Sequence, residues 1–479
     1  MVKFVDRQEE LNALNRLIGE DEGQFAVVYG RRRVGKTTLL RHWVTQAKLP
    51  SVYWIARRES PEAVRYSMAR AFWRGMGRQD APRFDNWETQ FEEIAHLVGN
   101  QPLIVIFDEF PYAVESDPSL PSHLQAAWDH LFQDKAVILV LAGSHIGMMV
   151  DLLGYQAPLY GRFTAQLPVD PLPYAALIDF YPGYTAAERV AVYAVLGGIP
   201  GYLKRFKHTQ SVGTNIKQQL MRKVGLFRSE PAVLISELVR EPKNYEGILK
   251  AIAKGKHTLS EIALEANLST THIPVYLKRL IELRLIERRI PVTVPPKKRQ
   301  TSKRSRYHLR DPYLRFYYRF IEPELETIEF GEVNLLWQQM KEQFRAFIGM
   351  TTWEELSREW LILQANRGQL PFPVALVGSH WAKDAQVDVV AINWREKAIL
   401  LGECKWGDRA VGRSVIRALI EKTPLVVPEP DWQVYYAFFA RKGFTEAARS
   451  EARSVNAILV DLERLDHDLR QAMLNPLFD

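Results

Sequence analysis

The sequence predicts an α/β protein built on a parallel sheet that is covered on both faces. Three observations carry the prediction: apolar strand patterns at 25–29, 51–55, 103–107 and 136–142; helical stretches between them; and a glycine-bounded turn at 30–37, set between the first of them and a helix opening at Lys36. A strand buried on both faces reads as a continuous apolar run rather than an alternation, and parallel neighbours need a helical crossover between them.

In chain order, Asp6 and Glu9 have the spacing of a capping box, and Leu11, Leu14, Leu17 and Ile18 recur with a helical period, so a helix precedes the first strand. The turn then reads GRRRVGKT. Glycines at both ends let backbone N–H groups wrap an anion, a lysine meets the β and γ phosphates of a nucleotide, and a hydroxyl serves magnesium. Gly30, Gly35, Lys36 and Thr37 fill those roles, and the cradle for ATP extends over Arg31, Arg32, Arg33, Val34 and Thr38. The charge of the three arginines either attracts nucleotide or merely coats the loop. The run LIVIFDEF at 103–110 ends in paired carboxylates. Asp108 is expected to hold Mg2+ through its water shell, and Glu109 to orient the attacking water. Ligands of such sheets sit at the carboxyl ends of the strands, where Gly30, Asp108 and Ser144 all fall.

From about 171 to 228 the chain reads as helical, interrupted at Gly197, Gly198, Pro200 and Gly201, which marks a small helical subdomain with a tight internal turn. Then the character changes. Helical patterns at 259–266 and 270–283 are separated by Asn267, Leu268 and Ser269, a helix-turn-helix spacing with Ile262, Ala263, Ile273, Leu277 and Leu280 as its core. Two strands, at 290–294 and 306–309, follow as a wing. Their loop carries Lys297, Lys298, Arg299, Lys303 and Arg304, with no acidic residue between Ile290 and Arg310. That charge favours phosphate backbones, although such folds also serve protein contacts. The aromatic run DPYLRFYYRF at 311–320 is read as a core seam through Leu314, Tyr317, Tyr318 and Ile321.

Near the C-terminus, QVDVVAI at 386–392 and AILLGECKW at 398–406 read as neighbouring strands joined by a hairpin-length turn. A side-chain period of two places Glu403 and Lys405 on one face, with Asp388 opposite them. Two carboxylates there suit a second divalent metal, and the lysine would position or activate a water for phosphodiester attack; a structural ion pair at a sheet edge is the competing account. The preceding amphipathic helix at 352–363 offers Glu354 as a further ligand, with Glu355 and Glu359 as the other choices.

The composition bounds these readings. A chain of 479 residues with 47% hydrophobic and 25% charged residues is long enough for about three globular domains and unlike a disordered chain. Cys404 is the only cysteine, which excludes an intramolecular disulfide and a cysteine-rich zinc site, and makes the cytoplasm the default location. No apolar stretch is suited to crossing a membrane, and a net charge of +7 is a weak pull toward nucleic acid.

The segments FVDRQEEL, YGRRRVGKTTLL, LIVIFDEF, LAGSHIGMM, PLYGRF and GGIPGYL, in that order, resemble the archaeal ATPase family, P-loop proteins of the AAA+ and signalling (STAND) NTPase kind. The later VDVVA and GECKW segments resemble the companion domain of uncharacterised function found in these ATPases, which looks like the PD-(D/E)XK nuclease superfamily. The resemblance implies a P-loop ATPase core at 1–170, a helical lid at 171–235, a winged helix at 236–310, a helical connector at 311–345 and a restriction-endonuclease-like α/β domain at 346–479. By it, Phe4 and Arg7 lie near the adenine, Ser144 is the polar sensor, and Gly198, Ile199 and Pro200 form the nucleotide-contacting turn. Arg162 would read the γ-phosphate in cis or across a subunit contact. Where the family often has a second serine after Ser144, this chain has His145. In the nuclease superfamily, the helix acid, the aspartate and the ExK pair map to Glu354, Asp388, Glu403 and Lys405.

Two functions are compatible with these residues. One is a Mg2+-dependent ATPase that couples nucleotide state to DNA binding and to phosphodiester cleavage. The other is an ATP/ADP switch that regulates DNA or a protein partner while its nuclease-like domain is inactive. A homo-oligomer is implied if Arg162 acts in trans.

Overall fold

The computed structural model describes residues 4–20, 22–239 and 241–474. The chain divides into two compact units, the first comprising Met1–Leu172, Ile199–Tyr202 and Ser236–Arg240 and the second Pro173–Gly198, Leu203–Ile235 and Glu241–Asp479.

The first unit is the parallel sheet expected from the apolar runs. Its strands are β1 (Gln24–Tyr29), β2 (Ser51–Ile55), β3 (Leu103–Asp108), β4 (Val137–Gly143) and β5 (Ala165–Pro168), in the order β2-β3-β4-β1-β5. All pairs are parallel. Every residue of β3 and β4 is buried, which explains why these strands are apolar at successive positions. An aromatic layer fills one face: Phe25 packs on Trp128, and Phe107 meets Trp54 edge-on.

The entry helix, Gln8–Arg16, forms, but not by the expected cap. Asp6 and Arg7 both take left-handed backbone angles, the N-cap is Arg7, and no side chain caps the helix. The Arg7 guanidinium instead bonds Glu10 in the first turn, at 2.7 Å.

In the second unit the helix Ala186–Leu196 opens on a complete capping box of Thr185 and Glu188. It is tied to the helix Leu462–Leu474 by a buried network: both carboxylate oxygens of Asp466, which is 1% exposed, accept from Arg189 Nη2 at 2.8 Å, and Oδ1 also accepts from the Tyr174 hydroxyl at 2.6 Å. Further on come the helices Pro242–Ala253, Leu259–Glu265 and Ile273–Glu282, then an antiparallel pair, β6 (Ile286–Arg289) with β7 (Arg306–Leu309). Ile262, Ala263, Ile273, Leu277 and Leu280 are buried, as their spacing predicts.

The first strand of this pair lies earlier than the sequence indicated. Residues 290–294 do not pair with β7, because Pro291 and Pro295 interrupt the run and the Val292 amide donates to Ser379 O at 3.1 Å. Val292 then joins the apolar core of the C-terminal sheet. The aromatic run at 311–320 is core: Leu314, Tyr317, Tyr318 and Ile321 are all buried.

The C-terminal sheet contains β8 (Leu376–Trp381), β9 (Gln386–Asn393), β10 (Ala398–Lys405), β11 (Gln433–Ala440) and β12 (Ile458–Asp461), in the order β12-β11-β10-β9-β8. The sheet is mixed: β8, β9 and β10 are antiparallel neighbours, whereas β10, β11 and β12 run parallel. The β9–β10 turn is closed by Asn393, whose side chain accepts from the amides of Arg395 and Glu396. Among the described residues no helix is long and apolar enough to cross a membrane.

Candidate functional site

The loop at 30–37 leaves β1 and enters the helix Lys36–Ala47 through Gly35, whose φ of +106° suits glycine. Gly30 is required for a different reason: a Cβ there would lie 2.3 Å from the carbonyl oxygen of Val169. The Lys36 ammonium, on a side chain only 5% exposed, donates to Gly30 O at 2.8 Å and Arg31 O at 3.2 Å. It therefore curls back across the loop it would share with a phosphate.

Thr37 Oγ1 donates to Asp108 Oδ2 at 2.8 Å. A hydroxyl and a carboxylate in contact at the mouth of the loop are a donor set that fits Mg2+, a hard cation that takes oxygen ligands and keeps several waters. Tyr53 also donates to Asp108 Oδ2, at 2.7 Å. Burial and the Asp108 carboxylate push the Tyr53 phenol far above its ordinary range, so it acts as a fixed donor. Sequence reasoning missed Tyr53, since an aromatic in an apolar strand reads only as a strand former.

Glu109 follows β3 in a left-handed conformation, φ 53°, at the N-cap of the helix Phe110–Ser116. Non-glycine residues rarely adopt this conformation, and here it turns the carboxylate toward the end of β4. Ser144 holds it there, donating to Glu109 Oε2 from Oγ at 2.8 Å and from its amide at 3.2 Å. Ser144 is thus a positioning residue for Glu109. His145 has its own task, accepting from the Met148 amide at the start of the helix Ile146–Leu152. Ser144→Ala leaves the amide bond and removes the hydroxyl bond. It is expected to lower the rate of ATP hydrolysis about tenfold, with the ATP dissociation constant unchanged, which steady-state kinetics and equilibrium binding together would check.

The turn Ile199–Tyr202 packs on the loop. A Cβ on Gly35 would lie 4.0 Å from Pro200, the Gly201 amide donates to Arg33 O at 3.2 Å, and Arg31 donates to the Tyr202 hydroxyl at 2.8 Å with its guanidinium over the ring. Arg31 therefore fastens this turn rather than coating the surface. Arg32 and Arg33 are partly exposed and Thr38 is exposed. Behind the loop, Arg7 donates to Val34 O at 3.1 Å, and Phe4 stacks on His42 with ring centroids 3.9 Å apart.

Arg162 does not join these groups. Its guanidinium forms a bidentate pair with Asp129, both bonds at 2.7 Å, and donates to the carbonyls of Pro158 and Tyr160. The same pair holds the Asp129 carboxyl below the usual carboxylate range.

In the second unit, Glu354, Asp388, Glu403 and Lys405 come together around β9 and β10. Asp388 Oδ2 accepts from the Cys404 amide at 2.9 Å, and Lys405 donates to Glu403 Oε1 at 2.6 Å. Burial, then the neighbouring Glu403, raises Asp388 above its ordinary value. Burial, then Asp388, pushes Glu354 up to about 8. The three helix carboxylates separate by partner. Glu354 faces Asp388, whereas Glu355 is held at about 2 because Arg315 and Arg289 outweigh its burial. Glu359 is pushed up to about 7 by burial and by Glu355.

Among the described residues, no group of three or more His, Cys, Asp or Glu side chains is placed to hold a metal ion. Asp388 Oδ2 is occupied by the Cys404 amide, Glu403 Oε1 by Lys405, and Glu354 has Arg358 at 3.6 Å.

A family model for an ATPase domain predominantly from Archaea matches residues 4–206, and one for archaeal and bacterial proteins of unknown function matches residues 317–415. An uncharacterised protein of Methanocaldococcus jannaschii is 32% identical over 446 residues, covering 92% of this chain and 96% of its own length. An uncharacterised ATP-binding protein of the same organism is 43% identical over 49 residues, 10% of this chain and 83% of that protein. Among solved structures, a Walker-type ATPase of Pyrococcus abyssi aligns with a TM-score of 0.49 at 20% identity, over 66% of this chain and 96% of that one.

Proposed function

We propose, for a chain that belongs to the family of its full-length Methanocaldococcus jannaschii relative and carries an ATPase domain of the predominantly archaeal type, that ATP turnover on the loop at 30–37 controls the action of the rest of the chain on DNA. The observation that carries the ATPase half is the chain of contacts from Thr37 through Asp108 to Glu109 and Ser144, next to a Lys36 ammonium curled across the loop. Magnesium, when bound, neutralises charge on the transferring phosphoryl group. The chain's own residues do the rest. Backbone amides of the loop and the Lys36 ammonium bind the phosphates, Thr37 and Asp108 present oxygens to the cation, and Glu109, aimed by Ser144, orients the attacking water.

The DNA half rests on the three helices and antiparallel pair at 242–309, read as a winged helix, and on the exposed Lys297, Lys298, Lys303 and Arg304. Binding through such side chains weakens steeply with salt. The mixed sheet with Asp388, Glu403 and Lys405 is read as nuclease-like, and cleavage is tested directly. With magnesium or manganese supplied, the wild-type protein should nick plasmid DNA, and Asp388→Ala and Lys405→Ala should lose that activity. Equal nicking by both variants would sink the cleavage reading.

The alternative is an ATP/ADP switch with an inactive nuclease-like domain. It is favoured by the Glu403–Lys405 ion pair and by the absence of a convergent ligand set among the described residues. It predicts no nicking by the wild type under any of these conditions, with DNA or partner binding that still differs between ATP and ADP.

A further inference from the structure

A cavity of about 470 Å3 opens in the second unit among β6, the segment after it, the helix Glu354–Asn366 and β8. Its size suits a mononucleotide. The lining is two-sided, with an apolar wall that includes Val292 and Leu376 and a cationic wall of Arg288, Arg299, Arg310 and Arg358.

The carboxylates nearby offset that cationic wall only in part. Glu287 and Glu355 both bond Arg289, at 2.6 and 3.1 Å, and Glu355 is further committed to Arg315. Glu359, pushed up to about 7, is only partly charged near neutrality. Arg288 donates to Ser302 O and Arg299 to Pro291 O, both uncharged acceptors. Arg358 has Glu354 at 3.6 Å and uses Nη1 on Ser379 and the Asp388 carbonyl, but its Nη2 is buried with no hydrogen-bond partner. A buried guanidinium nitrogen lacking an acceptor is costly, and several arginines around one cavity repel one another. An anion with several acceptor oxygens relieves both.

We propose that this cavity is a second phosphate site, distinct from the loop at 30–37, that takes a 5′-phosphorylated nucleotide. The phosphate lies among the four arginines and the base lies against the apolar wall. That chemistry has two sources, a free mononucleotide or the phosphorylated end of a nucleic-acid strand. Occupancy does not depend on cleavage at Asp388, so the site stands or falls separately from the nuclease reading.

The test uses the full-length Lys36→Ala protein, so that the loop at 30–37 is disabled, in EDTA, so that nothing is cleaved. Fluorescence anisotropy compares 3′-labelled oligothymidylate bearing a 5′ phosphate or a 5′ hydroxyl, with AMP as competitor at constant ionic strength. The expected result is roughly tenfold tighter binding of the phosphorylated strand, displacement by AMP, and loss of both in Arg299→Ala and in Arg310→Glu. Arg310 is exposed, so its variant should melt with its parent and stays informative if Arg299→Ala misfolds. AMP binding that is lost in Arg310→Glu, without a 5′ preference, assigns the cavity to free nucleotides and upholds the proposal. No 5′ preference and no AMP binding overturns it, as does binding that is unchanged in both arginine variants.

Discussion

Lys36→Ala is expected to abolish ATP hydrolysis, by at least about 10²–10³-fold, the scale on which a single preorganised electrostatic contact acts. Two losses combine in this variant. The ammonium that would meet the β and γ phosphates is gone, and so are its bonds to Gly30 O and Arg31 O, which hold the curve of the loop. ATP binding should therefore weaken along with turnover, and a fluorescent ATP analogue titrated beside a phosphate-release assay would register both. Wild-type hydrolysis in Lys36→Ala would mean that the loop at 30–37 is not the ATPase site.

Glu109→Gln is expected to separate the two effects. The amide still fits where Ser144 holds the carboxylate, but it cannot take up charge or a proton from the attacking water, so turnover should fall about 10²–10⁴-fold. ATP affinity should stay near wild type, because Ser144 holds the Glu109 carboxylate at the end of β4, outside the loop at 30–37. A variant that binds ATP and does not hydrolyse it would also hold the ATP state for measurements of DNA affinity. Loss of ATP binding in Glu109→Gln would show instead that Glu109 supports the loop.

What was legible in the sequence was legible because it is local. Gly30, Gly35, Lys36 and Thr37 sit within one turn, and Asp108 and Glu109 end a strand whose apolar run declares its burial. The parallel sheet follows from its continuous apolar runs, and the core seam at 311–320 from its helical spacing, in the same local way. Elsewhere, contacts distant in sequence decided the outcome. Val292 reads as part of a strand until Ser379 takes its amide, Arg162 reads as a free phosphate sensor until Asp129 claims it, and Tyr53 gains a role only because β2 lies beside β3. Glu354 reads as the first choice with Glu355 and Glu359 competing on the same helix, and what distinguishes them lies in Asp388, Arg315 and Arg289, which other elements supply.

The buried Asp466 gives the chain's linear order an unexpected property. The helix Ala186–Leu196, which runs up to the turn at 197–201, has its Arg189 neutralised by a residue of the final helix. A buried cation stripped of its paired carboxylate is among the more damaging lesions a fold can suffer. Trimming the protein from its far end would thus be felt in its middle. Grafting the first 206 residues alone onto another protein would carry over a cation without its counterion.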